Sequence, residues 1–99
     1  MIVVTAKVTS TQEDIVALQG AIAAMERASR EEDGCVDYTF SIELNDSAVI
    51  RITEKWDTEE ALQAHFETPH MAEFQAAMAA HPPRGMEVQA YDGTEIDPF

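Results

Sequence analysis

Ile52-Thr-Glu-Lys-Trp-Asp-Thr-Glu-Glu-Ala-Leu-Gln-Ala-His-Phe-Glu-Thr-Pro-His70 is the stretch whose reading decides the fold of this chain. Its first part continues an alternating strand, in which Ile50, Ile52, Glu54 and Trp56 share one face. Asp57-Thr-Glu-Glu60 then has the spacing of a helix-capping motif. It opens a short helix carrying Leu62, His65 and Phe66. Thr68-Pro69 opens a further helix at once, with proline at a first helical position, where its missing N–H costs nothing. The stretch thus gathers a carboxylate, an indole and two imidazoles near one end of a sheet.

Upstream, residues 35–43 alternate as well. Val36, Tyr38, Phe40 and Ile42 point one way, and Asp37, Thr39, Ser41 and Glu43 the other. Asn45-Asp46-Ser47 reads as a three-residue turn, because a two-residue loop would set opposite faces in register. The expected pairs are Ile42 with Ile50, Phe40 with Ile52, Tyr38 with Glu54, and Val36 with Trp56. Residues 2–9 are β-rich and form a first strand. Ser10 or Thr11 caps a helix whose apolar stripe is Ile15, Leu18, Ile22 and Met25, and Gly34 closes that region. Downstream, Met71, Phe74 and Met78 stripe the last helix, His81-Pro-Pro-Arg-Gly85 is a loop, and residues 86–91 form the last strand. The order β-α-β-β-α-α-β predicts an α+β fold, a ferredoxin-like split βαβ with a four-stranded antiparallel sheet and its helices on one face. One domain spans residues 1–99, ending in an acidic tail at 93–99.

The bulk properties exclude several functions. With 19 acidic against 6 basic residues and a net charge of −13, the surface repels phosphate backbones and anionic lipid, so neither nucleic acid nor membrane is an expected partner. No run approaches the ~20 apolar residues of a membrane span. The start, Met1-Ile-Val-Val-Thr5, reads as a strand and not as a signal peptide, and a single cysteine, Cys35, suits a reducing compartment. The cytoplasm is therefore the expected location. C-x-x-C, G-x-G-x-x-G and phosphate-loop motifs are absent. His65 and His70 are five apart across a helix break, unlike the H-x-x-x-H of a zinc helix, so no metal is expected.

Glu54-x-Trp56, Ala61-Leu-x-Ala-His65 and Thr68-Pro-His70, in that order, resemble the antibiotic biosynthesis monooxygenase (ABM) domain family, in particular its small quinol-oxidising members. The resemblance covers nearly the whole chain. It implies a homodimer, two sheets packed face to face as a dimeric α+β barrel, to which the tail from Gly93 to Phe99 could reach across. It also implies cofactor-free oxygenation with dioxygen. Two departures limit the analogy. Haem-degrading relatives use an asparagine on the first strand, where this chain offers Thr5 and Lys7. Relatives that oxidise polyketide anthrones use an asparagine and an arginine in the pocket, and Arg51 is expected on the wrong face.

The candidate site follows from the strand pairing. Tyr38 and Glu54 lie side by side, Trp56 ends the strand, and His65 follows with Phe66 beside it. A carboxylate on an apolar face must be paired or protonated, and His65 is its expected partner. A Glu–His couple within aromatic walls suits removal of a phenolic proton. The expected catalytic groups are His65 and Glu54. Trp56, Tyr38 and Phe66 would hold a small aromatic substrate, with His70 near the pocket mouth. Each residue also has a plain reading. Trp56 and Tyr38 are ordinary core, Glu54 pins a histidine or a helix, and His65 is a satisfied buried imidazole. Two functions remain open: a quinol-type monooxygenase, or a non-catalytic small-ligand-binding or interaction module on the same fold.

Overall fold

The computed structural model describes residues 1–99. Seven elements follow in the order β1 (Ile2–Thr9), α1 (Gln12–Arg30), β2 (Cys35–Glu43), β3 (Asp46–Trp56), α2 (Glu59–His65), α3 (Pro69–Ala80) and β4 (Gly85–Asp92). The sheet is antiparallel with strand order β2-β3-β1-β4, which is the ferredoxin-like arrangement with its second helical segment broken in two. Each helix begins where a threonine side chain accepts a backbone N–H. Thr11 takes that of Asp14, Thr58 that of Ala61 and Thr68 that of Met71. No helix is long and apolar enough to cross a membrane.

Strand parity sets the core. Ile2, Val4, Ala6 and Val8 of β1 are buried under the helices, beside Ile50, Glu54 and Trp56 of β3. Around Trp56 the main cluster joins Ile2, Val4, Met25, Tyr38 and Met71, with Leu62 and Phe74 packed against it. A second cluster, Val8, Ile15 and Ile50, includes Ile22 and Met78 at its margin. The α1 and α3 stripes read from the sequence are thus the surfaces that meet the sheet.

The β2–β3 register agrees with expectation at Ile42–Ile50, Phe40–Ile52 and Tyr38–Glu54. It departs at both ends. A bulge between Cys35 and Asp37 sets Cys35, and not Val36, opposite Trp56, and leaves Val36 half exposed. Just before it Gly34 has φ +81, and a Cβ there would lie 2.7 Å from the Ala61 side chain, so α2 seats closely on the strand's entrance. Bulges insert one residue and turn its neighbours, which alternation alone does not foresee. At the other end Glu43 pairs with Asp46, so the turn is Leu44-Asn45. A register shift between Ile42 and Glu43 restores the faces that a plain two-residue loop would have inverted.

The β2 edge is closed by α1. Arg30 Nε donates to the Tyr38 carbonyl at 2.9 Å, and the Phe40 N–H donates to Glu26 Oε2 at 2.8 Å. Glu26 and Arg30 also pair one helical turn apart at 3.5 Å. Backbone groups that would invite another strand are thereby engaged. The opposite edge differs: all eight residues of β4 are exposed, including Met86, Val88 and Tyr91.

Candidate functional site

Residues two apart on a strand share a face, so the Trp56 side chain reaches back to Glu54. The indole Nε1–H donates to Glu54 Oε1 at 3.0 Å. Tyr38, directly across on β2, is buried, and its ring meets Trp56 edge-on at 6.3 Å. His65, in the last turn of α2, is fully enclosed, with its ring centroid 4.8 Å from Trp56 and 5.2 Å from Tyr38. Tyr38, Glu54, Trp56 and His65 therefore form one packed cluster. Phe66 lies 5.7 Å from His65, centroid to centroid, yet more than half its surface faces solvent, so it flanks the cluster and does not wall it.

The expected bond between Glu54 and His65 is not made. Glu54 is taken by Trp56, while His65 Nδ1 lies 2.6 Å from Glu32 Oε2. The same oxygen lies 2.7 Å from His70 Nε2. Helix α2 has seven residues and delivers His65 to the turn between α1 and β2, where Glu32 sits. The side-chain hydrogen bond of Glu54 is the one from Trp56, two residues along the same strand. His65 Nε2 is buried and has no hydrogen-bond partner.

The sequence does not single out Glu32, because Glu31-Glu32-Asp33 reads as a solvated acidic run. A signal was nevertheless present. Three acids at a helix C-terminus oppose its dipole and call for compensating partners. Here His65 and His70 supply them.

His65 and His70 do not share one helix: His65 ends α2 and His70 lies in the first turn of α3. The break between α2 and α3 instead brings Glu32, His65 and His70 together, with one donor atom of each within 4.8 Å of the others. The distances are those of charge-assisted hydrogen bonds. Neighbouring ligands around a tetrahedral zinc with bonds of ~2.0–2.1 Å stand about 3.3 Å apart, wider than the 2.6 and 2.7 Å by which Glu32 Oε2 is separated from the two imidazoles.

Electrostatics separate the roles available to the cluster. Burial pushes the Glu54 carboxyl above its ordinary value of 4.5, against the opposing effects of the Trp56 bond and the nearby His65. Burial, followed by the charge of Glu54, pushes the Tyr38 hydroxyl far up, so Tyr38 remains a neutral phenol at any physiological pH. Burial also raises the Cys35 thiol, with Glu32 and Glu54 adding to the effect, which leaves it a poor nucleophile.

A pH prediction follows for Glu54. The folded carboxyl holds its proton to higher pH than the unfolded one, so the folded state is favoured most below about 4.5 and loses that advantage as pH rises through the folded-state value. Glu54→Gln keeps an oxygen for the Trp56 N–H and removes the charge. Urea unfolding at neutral pH should find Glu54→Gln more stable than the parent, with the difference vanishing near pH 4. A variant equally stable at both pH values would show that Glu54 is not strained by burial.

An apolar opening adjoins this cluster. A groove of about 290 Å³ lies between α1 and the β2–β3 hairpin, lined by Ile15, Ile22, Phe40, Ile42 and Ile50 with Gln19 and Glu26 at its edge. Its volume is at the lower end of the ~300–1,000 Å³ typical of small-molecule pockets. Phe40 joins it to the cluster, its ring tilted against Tyr38 at 5.8 Å and edge-on to Phe74 at 5.5 Å.

Residues 1–77 match the sequence model of the antibiotic biosynthesis monooxygenase family. Among solved structures, a Deinococcus radiodurans protein provisionally named an antibiotic biosynthesis monooxygenase superposes with a TM-score of 0.91 at 24% identity, over 100% of this chain and 98% of its own. A Nitrosomonas europaea protein with the same provisional name gives a TM-score of 0.88 at 19% identity, over 96% and 100% of the two chains. Rv0793 from Mycobacterium tuberculosis gives 0.84 at 22% identity, over 96% of each chain. At these identities the likenesses establish a shared fold. No match was found among curated proteins.

Proposed function

Since the chain belongs to the antibiotic biosynthesis monooxygenase family, we propose that it is a cofactor-independent monooxygenase that oxidises a quinol or similar electron-rich aromatic with dioxygen. The observation that carries this reading is His65 Nε2, a buried ring nitrogen without a partner, enclosed by Tyr38 and Trp56. With Nδ1 engaged by Glu32, Nε2 is the position free to take a proton. The substrate's hydroxyl O–H breaks, the proton passes to Nε2, and the aryloxide gives one electron to dioxygen. The aryloxyl and superoxide radicals then join in a new C–O bond. The peroxide anion recovers the proton from His65. Its O–O bond breaks with loss of the carbon-bound hydrogen, which leaves a carbonyl and water. One oxygen atom enters the product and the other becomes water.

In this reading His65 is the base. Tyr38, a phenol that keeps its proton, donates to a substrate oxygen, and Trp56 packs against the ring. Glu54 acts through Trp56, holding the indole's orientation, and is not a second base. His70 and Phe66 border the cluster from outside. In this reading the α1 groove receives the aromatic ring, and Phe40, which closes its inner end against Tyr38, must turn aside for the ring to reach His65.

One observation favours the binding module instead. His65 and Trp56 are wholly enclosed, and the groove stops at Phe40. Oxygen uptake by metal-stripped protein with a panel of hydroquinones and anthrols separates the two readings. The oxygenase predicts uptake above autoxidation that falls in His65→Ala and Trp56→Phe. Ligand retention without uptake would establish a binding module.

A homodimer is part of the same proposal, supported by the wholly exposed β4 and by the apolar Ile96 and Phe99 of the tail. Sedimentation equilibrium should give twice the 10.9 kDa chain mass. A single chain mass at micromolar concentration would refute it. The one free cysteine, Cys35, fits a proposed cytoplasmic location.

A further inference from the structure

We propose that Glu32 and His70 are positioning residues that hold His65 in the tautomer needed to accept a proton, an assignment that deepens the oxygenase reading and rests on it for its catalytic consequence. Glu32 Oε2 is 2.6 Å from His65 Nδ1 and 2.7 Å from His70 Nε2, and its side chain is 13% exposed against 0% for His65 and 22% for His70. The three groups thus run from solvent to the interior in the order His70, Glu32, His65. An ionised carboxylate only accepts, so each imidazole must present an N–H to it. For His65 that places the hydrogen on Nδ1 and leaves Nε2 with a bare lone pair.

The buried environment makes this assignment matter. Nε2 has no donor to satisfy it and is enclosed by aromatic rings, so nothing else in the protein selects the tautomer. The groups facing His65 from the neighbouring elements are Tyr38 and Cys35 on β2, Glu54 on β3, His70 on α3 and Glu32 in the α1–β2 turn. Of these, Glu54 is committed to Trp56, and Tyr38 and Cys35 keep their protons. Glu32 is the single acceptor on Nδ1. His70 bonds the same oxygen from the solvent side, which stops the carboxylate from swinging outward. Around metal centres, partners that orient a ligand without touching the reacting group change affinity or activity about 10–100-fold, and His70 is expected to act on Glu32 with comparable leverage.

The proposal is distinct from a metal site, since the carboxylate oxygen stands between the two nitrogens at hydrogen-bond length. In a metal site Nδ1 would be deprotonated and Nε2–H would be the buried orphan. The two arrangements place the His65 proton on opposite nitrogens.

Two-bond ¹H–¹⁵N correlation spectra of the histidine side chains in the full chain read that proton directly, without substrate. Nδ1–H at His65 in the parent, converting to Nε2–H in Glu32→Ala, is the expected result. Nε2–H in the parent, or a transition metal co-purifying at one equivalent and displaced by Glu32→Ala, would overturn the assignment. With a substrate from the hydroquinone panel, Glu32→Ala should lower kcat about 10²–10⁴-fold with KM within about threefold. Glu32→Asp should recover part of that loss, and His70→Gln should cost about tenfold. Equal kcat in Glu32→Ala and the parent, with fold confirmed by circular dichroism, would also overturn it. If no substrate turns over, the oxygenase reading fails, while the tautomer spectrum still decides the assignment of Glu32.

Discussion

Replacing His65 with alanine is expected to lower kcat for oxidation of a hydroquinone about 10²–10⁴-fold, the usual contribution of a positioned general base. The size of the effect follows from the site's composition. Tyr38 holds its proton too tightly to act as a base, and Cys35 is raised as well. Glu54 is occupied by the indole N–H. No other group in the cluster can take over, so the residual rate should approach that of the free aromatic with oxygen. A fully buried side chain is also removed, and the fold of the variant must be checked by its unfolding curve. His65→Gln, which fills more of the space and offers an amide to Glu32, separates the loss of the base from the loss of packing. It should fold better than His65→Ala and turn over no faster. Stopped-flow absorbance of the quinone product measures both variants. A loss of less than threefold in either would remove His65 from the chemistry.

Trp56→Ala is expected to cost about 3–5 kcal/mol of folding stability, as for other buried aromatic side chains. Trp56 is completely enclosed at the centre of the main core cluster, touching elements from both halves of the chain. Its removal leaves a cavity under α2 and strands Glu54 Oε1 without its donor. A domain of this size holds only about 5–15 kcal/mol in all, so the variant should be close to unfolded at 37 °C. Trp56→Phe keeps most of the ring and loses the N–H, and should cost about 1–3 kcal/mol, the penalty of an unsatisfied buried group. Urea titration followed by far-ultraviolet circular dichroism gives both values. A cost below about 1 kcal/mol for Trp56→Ala would mean that the core does not rest on the indole.

Much of the fold was legible because it depends on periodicity. The stripe of Ile15, Leu18 and Met25 and the alternation of Tyr38 and Phe40 against Ile52 and Glu54 require only that apolar residues share a face. The misses fall where a single inserted residue breaks the period. Val36 was expected opposite Trp56, and the bulge after Cys35 turns it to solvent. The hairpin turn shifted for the same reason, since the irregularity between Ile42 and Glu43 cannot be read from residue type.

The site was legible in part. Strand pairing brings Tyr38, Glu54 and Trp56 together, because they are neighbours on adjacent strands. The partner of His65 was misread because it comes from a turn far off in sequence. Glu32 is 33 residues from His65, and no local pattern links an acidic helix end to the last turn of another helix. The break between α2 and α3 hid the meeting of His65 with His70, which counting along one helix could not foresee. Pairings within a sheet follow from spacing, whereas pairings between loop and helix follow from how the layers stack.

The central claim is that this chain inserts oxygen into an aromatic substrate without help from a metal or organic cofactor. Turnover of a hydroquinone or anthrol by metal-stripped protein under ¹⁸O₂, with mass spectrometry of the product, tests it most directly. The account predicts one ¹⁸O atom in the quinone product, the other in water, and loss of the label in His65→Ala. A product carrying only solvent oxygen, or identical labelling with and without the protein, would contradict it.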